Sequence, residues 1–202
     1  MNFKEYIERA ESTAVYPGQS TFKGLGYVVS GLAGEVGEVF EVLKKIIRDS
    51  AGVITVNTKQ RLFEECSDCF WYTSQIFNEL KSKSNLFDIN VNKLQEECFK
   101  GFTGTTSSLL EDKLTQQRSI LIKVHSLVSN ILDDYSFVEL NGCNEEDDNL
   151  QNISENTSKV LLSLFVFLKN IEINVEDVLK YNLDKLASRK ERNVLSGSGS
   201  NR

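Results

Sequence analysis

From Tyr27 to Arg48 the chain reads YVVSGLAGEVGEVFEVLKKIIR, and its apolar residues Leu32, Val36, Val39, Leu43 and Ile46 recur at steps of four and three. That spacing puts them on one stripe of an amphipathic helix, and such a stripe needs other helices to cover it. Pro17 is the only proline among the 202 residues. Proline removes a backbone donor and breaks helix interiors, so its absence after position 17 permits long helices almost everywhere else. With 40% hydrophobic and 26% charged residues, the chain has the composition of an ordinary globular core. An all-α fold is predicted.

Helices are expected over residues 3–14, ending before the turn signal Tyr16-Pro17-Gly18, and over residues 26–48. After a break at residues 49–57, a further helix runs to about Leu80 with Leu62, Cys66, Cys69, Thr73, Ile76 and Leu80 on its stripe. A helix over about 106–133 carries Leu110, Leu114, Leu121, Val124, Val128 and Ile131; an acidic loop and an apolar helix around Val160 to Leu168 follow. The segments FDINVNKL at 87–94 and IEINVEDV at 171–178 have nearly the same form and stand 84 residues apart. This spacing reads as an internal repeat. The expected architecture is a four-helix-bundle core of two tandem, diverged helical repeats, residues 1–100 and 101–202, forming one compact pseudo-dimeric domain.

Chemistry enters beside the stripes. Glu35 and Glu38 lie on neighbouring turns of one helix and Glu65 and Asp68 on another, each pair starting three residues after its stripe's first leucine, Leu32 or Leu62. Carboxylates held together at a half-buried edge repel unless a cation neutralises them. Four of them on adjacent helices suit Mg²⁺, with Mn²⁺ as a substitute, because these ions prefer oxygen ligands. The second half lacks the acids: an 84-residue shift sets Ser119 and Ile122 where the first half has Glu35 and Glu38. Its trailing segment instead carries Asn182, Lys185 and Arg189 at steps of three and four, a polar and basic stripe suited to phosphate. The tail Ser196-Gly-Ser-Gly-Ser-Asn-Arg202 adds glycines that let backbone amides approach an anion closely.

Other signals are weaker. Cys66-Ser-Asp-Cys69 has the C-x-x-C form, but both thiols fall on the apolar stripe, and His125, the only histidine, leaves no set for a structural zinc. Paired glutamates also occur in di-iron bundles, which need E-x-x-H on two helices, and one histidine forbids that. Trp71 and Tyr72 follow Asp68 and read as core aromatics that could border a base pocket. The net charge of −6 disfavours nucleic acid and anionic membrane surfaces, no apolar run approaches transmembrane length, and the charged start MNFKEYIERA lacks a signal core. A cytoplasmic location with reduced thiols is the expectation.

With GLAGEVGEVFEVLKKIIRD at 31–49, EECSDCFWY at 64–72, NLDKLASRKERN at 182–193 and the closing GSGSNR, the chain resembles the MazG-type all-α nucleoside triphosphate pyrophosphohydrolases. EYIERAESTAVYP at 5–17 is similar to that family's opening helix. The resemblance implies hydrolysis of an NTP or dNTP to the monophosphate and pyrophosphate, with Mg²⁺ held by Glu35, Glu38, Glu65 and Asp68. It also implies that Lys45, Lys185 and Arg189 act on the phosphates, and that Asn182, Arg202 and Trp71 border the substrate. Glu38 is the chosen general base. Cys66-Ser67 departs from the family's Leu-Gly, Ser200 stands where an acid is usual, and about ninety residues separate the matching blocks. The implied partner is a small nucleotide, with a homodimer left open as the assembly. A catalytically inactive nucleotide-binding or regulatory module is the alternative, and metal binding discriminates between the two.

Overall fold

In the computed structural model, which describes residues 1–81, 83, 110–142 and 148–192, the chain forms α1 (Phe3–Glu11), α2 (Phe22–Asp49), α3 (Val56–Lys81), α4 (Leu110–Asn141), α5 (Asp148–Asn170) and α6 (Val175–Glu191). The protein is all-α. Side chains cap four of the starts: Asn2 accepts from the Glu5 amide at 2.8 Å, Thr21 from Gly24 at 3.4 Å, Thr55 from Thr58 at 3.2 Å and Asn174 from Glu176 at 2.9 Å. Gly18 and Gly52 take φ of 77° and 82° in the turns before α2 and after it, conformations in which a Cβ is strained.

The four long helices close a bundle: α2 packs on α3 and α4, and α5 packs on α3 and α4. Tyr135, near the end of α4, lies over Gly26, near the start of α2, while Leu114 near the start of α4 meets Gly52 past the end of α2. These contacts make α2 and α4 antiparallel. α1 lies on α3, and α6 lies on α3 beside α1. Phe3, Phe70 and Phe165 join α1, α3 and α5 in one aromatic core, with Phe70 and Phe165 at 5.3 Å between centroids.

Several helix ends differ from the periodicity reading. α1 stops at Glu11, because the Ser12 and Thr13 hydroxyls turn back onto the carbonyls of Arg9 and Ala10. α2 starts four residues early at its Thr21 cap, and α5 begins at Asp148, since Leu150, Ile153 and Thr157 extend its buried stripe through a polar stretch. α4 runs to Asn141 rather than 133, because Tyr135 and Val138 continue its stripe against α2. The segment 87–94, half of the repeat signal, lies outside the described residues, as does the tail with Arg202.

The two hairpins bury corresponding positions. Cys66, Cys69, Phe70, Thr73, Ile76, Phe77 and Leu80 of α3 match Leu150, Ile153, Ser154, Thr157, Val160, Leu161 and Leu164 of α5 at a shift of 84. For α2 and α4 the shift is 85, with Val36, Val39, Val42, Leu43 and Ile46 matching Leu121, Val124, Leu127, Val128 and Ile131. The register that set Ser119 and Ile122 opposite Glu35 and Glu38 is therefore off by one, and the corresponding positions are Ile120 and Lys123.

Candidate metal centre

The acids meet because their helices do. On α2 the residues Tyr27, Gly31, Glu35 and Glu38 share one face, as do Arg61, Glu65, Asp68 and Tyr72 on α3. Gly31 sets the close approach: a Cβ there would stand 2.1 Å from the Tyr72 ring. One turn away, Glu35 meets Glu65 and Asp68, and one carboxylate oxygen of each lies within 4.8 Å of the others. All three are half-buried.

Glu38 is not part of this tight group. It is exposed on the next turn of α2, though close enough to Glu65 to raise that carboxyl further. Burial, then the charges of Asp68, Glu65 and Glu38, pushes the Glu35 carboxyl up to about 7, with Lys185 acting in the opposite direction. Glu65 is raised by burial first, then by Asp68 and Glu38, against Arg61 and Lys185. Such mutual raising favours the uptake of a proton or a cation.

A helix remote in sequence completes the site. Lys185 of α6 donates to Asp68 Oδ1 at 2.5 Å and approaches Ser67 Oγ at 3.4 Å, with its ammonium 5.5 Å from the Tyr181 ring centre. Asn182 is fully buried; its amide nitrogen donates to the same Asp68 oxygen at 3.2 Å, while its Oδ1 accepts from Tyr6 at 2.8 Å. Tyr6 thus fixes which way the amide points, and α1 becomes part of the site's support. Sequence reading missed Tyr6, whose only signal was an apolar helix face carrying one hydroxyl.

The other expected residues fall differently. Arg189 is half-buried one turn beyond Lys185 and makes no hydrogen bond or ion pair among the described residues. Lys45 is engaged by Glu41 at 3.1 Å on its own helix, so its charge is spent locally. The Trp71 indole donates to Thr13 at 2.9 Å, and its ring meets Tyr72 and Tyr16 edge-on at 4.9 and 6.1 Å. Tyr16 in turn stacks on Tyr27 at 5.1 Å, which leaves Tyr27 46% exposed at the mouth of the aromatic cluster. Cys66 and Cys69 are fully buried free thiols, raised by burial, and face the core instead of the acids' open side.

The donor set is all oxygen, with no thiol or imidazole among it, and its three half-buried carboxylates face the cations of Lys185 and Arg61. That chemistry fits a hard divalent cation such as Mg²⁺ or Mn²⁺.

Fold and site together define an all-α helical-bundle protein with a three-carboxylate cluster between two helices. The chain belongs to the family of the Gene 37 protein of Mycobacterium phage L5, to which it is 40% identical over 105 residues, 50% of this chain and 92% of that protein. No protein-family model matches the chain. No solved structure matches it significantly.

Proposed function

We propose that this protein is a Mg²⁺-dependent nucleoside triphosphate pyrophosphohydrolase of the MazG type, which converts an NTP or dNTP to the monophosphate and pyrophosphate. The observation that carries the reading is the convergence on Asp68 of two acids from its own hairpin and of Asn182 and Lys185 from α6, more than a hundred residues away. A purely structural bundle gains little from it. Half-buried carboxylates at close range cost stability, and the gathering of a lysine and a buried amide on one of them suits a site that takes up further charge.

In this reading Glu35, Glu65 and Asp68 hold the cation, which neutralises phosphate charge and activates water. Lys185 has three ammonium hydrogens and uses two, toward Asp68 and Ser67, so the third is available to a phosphate oxygen. Asn182, oriented by Tyr6, keeps Asp68 in place. Glu38, exposed beside Glu65, is the carboxylate left to accept the proton of the attacking water. The ring cluster of Tyr16, Tyr27, Trp71 and Tyr72, one turn past Asp68 and two turns before Glu35, offers the exposed ring of Tyr27 to a base.

Residues 1–100 and 101–202 act as two diverged copies that build one site between them: the first supplies the acids and the second supplies α6. Incubation with a panel of NTPs and dNTPs and Mg²⁺, scoring pyrophosphate against orthophosphate, tests the function. Release of pyrophosphate is expected; no release from any nucleotide, with metal bound at the cluster, would leave the regulatory-module reading.

A further inference from the structure

The groove between α2 and α3 has two unlike ends. The Gly31–Tyr72 contact on one side of the acids means that residues earlier on α2 stand level with residues later on α3. Toward that end lie the four aromatic rings. Toward the other end, one turn before Glu65 on the same face of α3, lies Arg61.

Arg61 is half-buried and close enough to Glu65 to lower that carboxyl, yet it makes no hydrogen bond or ion pair among the described residues. On α2 the cations toward the same end behave differently: Lys44 and Lys45 both pair with Glu41. Arg61 is thus a guanidinium kept beside the acid cluster without being consumed by it.

Resting on the pyrophosphohydrolase reading, we propose that Arg61 binds the departing pyrophosphate, and so sets the direction in which a nucleotide lies along the groove. The base then occupies the aromatic end, the α-phosphate lies at the acids, and the β- and γ-phosphates reach the Arg61 end. In the reaction the water oxygen bonds to the α-phosphorus. The bond from that phosphorus to the oxygen bridging to the β-phosphate breaks, its electron pair leaves with pyrophosphate, and the water proton passes to a carboxylate. A planar guanidinium fork matches two oxygens of a diphosphate and meets the charge that builds on it as the bond breaks. Lys185 and Arg61 would then divide the work, one at the acids and one on the leaving group.

The test is calorimetric titration of inorganic pyrophosphate, and separately of AMP and UMP, in Mg²⁺ into the full chain and its Arg61→Ala and Arg61→Lys variants, with circular dichroism confirming the fold. Arg61→Ala should weaken pyrophosphate binding on the order of 10- to 100-fold while leaving monophosphate affinity within about twofold, and Arg61→Lys should recover part of the loss. Unchanged pyrophosphate affinity, an equal loss for both ligands, or no pyrophosphate binding by the parent chain would overturn the role of Arg61. The nucleotide panel judges the hydrolase reading separately. Selective loss of pyrophosphate binding in a chain that releases none from any nucleotide would refute that reading while leaving the Arg61 contact standing.

Discussion

The α2/α3 and α4/α5 hairpins bury the same pattern of positions, yet only one of them carries an acid cluster among the described residues. Beside the buried stripe, α2 and α3 have Glu35, Glu38, Glu65 and Asp68, whereas the corresponding positions of α4 and α5 hold Ile120, Lys123, Asn149 and Asn152. Asn152 there makes a long, exposed hydrogen bond of 3.4 Å to Asp134, a contact that needs no third partner. The difference shows that packing constrains the stripe and leaves its border open. Border positions are where chemistry can be gained or lost without rebuilding the core. The match of α3 with α5 has a plain component too: 84 is a whole number of seven-residue repeats, which preserves helical phase, whereas the 85-residue shift between α2 and α4 is not.

The sharpest way to break the comparison is to make the first border resemble the second. On the pyrophosphohydrolase reading, Glu35→Gln with Asp68→Asn should reduce pyrophosphate release more than about 100-fold, because it removes two of the three proposed cation ligands while the core stripe is untouched. A double variant that keeps turnover would take the cluster out of the chemistry. Metal should also separate the hairpins: Mg²⁺ at a hundredfold excess over its dissociation constant should stabilise the parent by about 2.7 kcal/mol, read as a rise in Tm. That gain should vanish in the double variant and survive Asn152→Ala.

Gly31→Ala tests the approach of α2 to α3, since its Cβ would enter the Tyr72 ring, which must then move away beside the cluster. A loss of roughly 1–3 kcal/mol is expected from overpacking, together with weaker Mg²⁺ binding. Gly26→Ala, whose Cβ would meet the Tyr135 hydroxyl at 2.1 Å, should cost a similar amount and leave metal affinity unchanged. Equal effects on metal binding would mean that the two contacts are not local.

The pH response should be of similar or smaller size. Glu35 titrates at about 7 in the folded chain and near its ordinary 4.5 when unfolded. Between those values the folded state holds a proton that the unfolded state has released, so stability falls as pH rises from about 4.5 to 7 and levels off above. The decline should be on the order of 1–3 kcal/mol in chelator, be smaller in Glu35→Gln, where the raised Glu65 remains, and be offset by Mg²⁺ above pH 7. A denaturation series across pH 4 to 8 checks it. Smallest of all, Asn152→Ala alone should change stability by less than about 0.5 kcal/mol, as expected for an exposed polar contact.

Helical periodicity and the lone early proline were enough to determine an all-α bundle, the stripes that face its core, and the two acid pairs beside them. The spacing of Asn182 and Lys185 likewise marked a polar face on α6. Periodicity states the direction of a side chain around its own helix axis; it does not state how deep that side chain lies or what stands across from it. Only the tertiary structure decided that Glu35 joins Glu65 and Asp68 while Glu38 stays at the exposed edge, and that Lys45 turns to Glu41 whereas Lys185 reaches Asp68. Packing at Gly31 brings α2 close to α3 beside the acids, and the Tyr6–Asn182 bond orients the amide that meets Asp68. Both depend on contacts between residues far apart in the chain, where the local pattern of a sequence carries no distance.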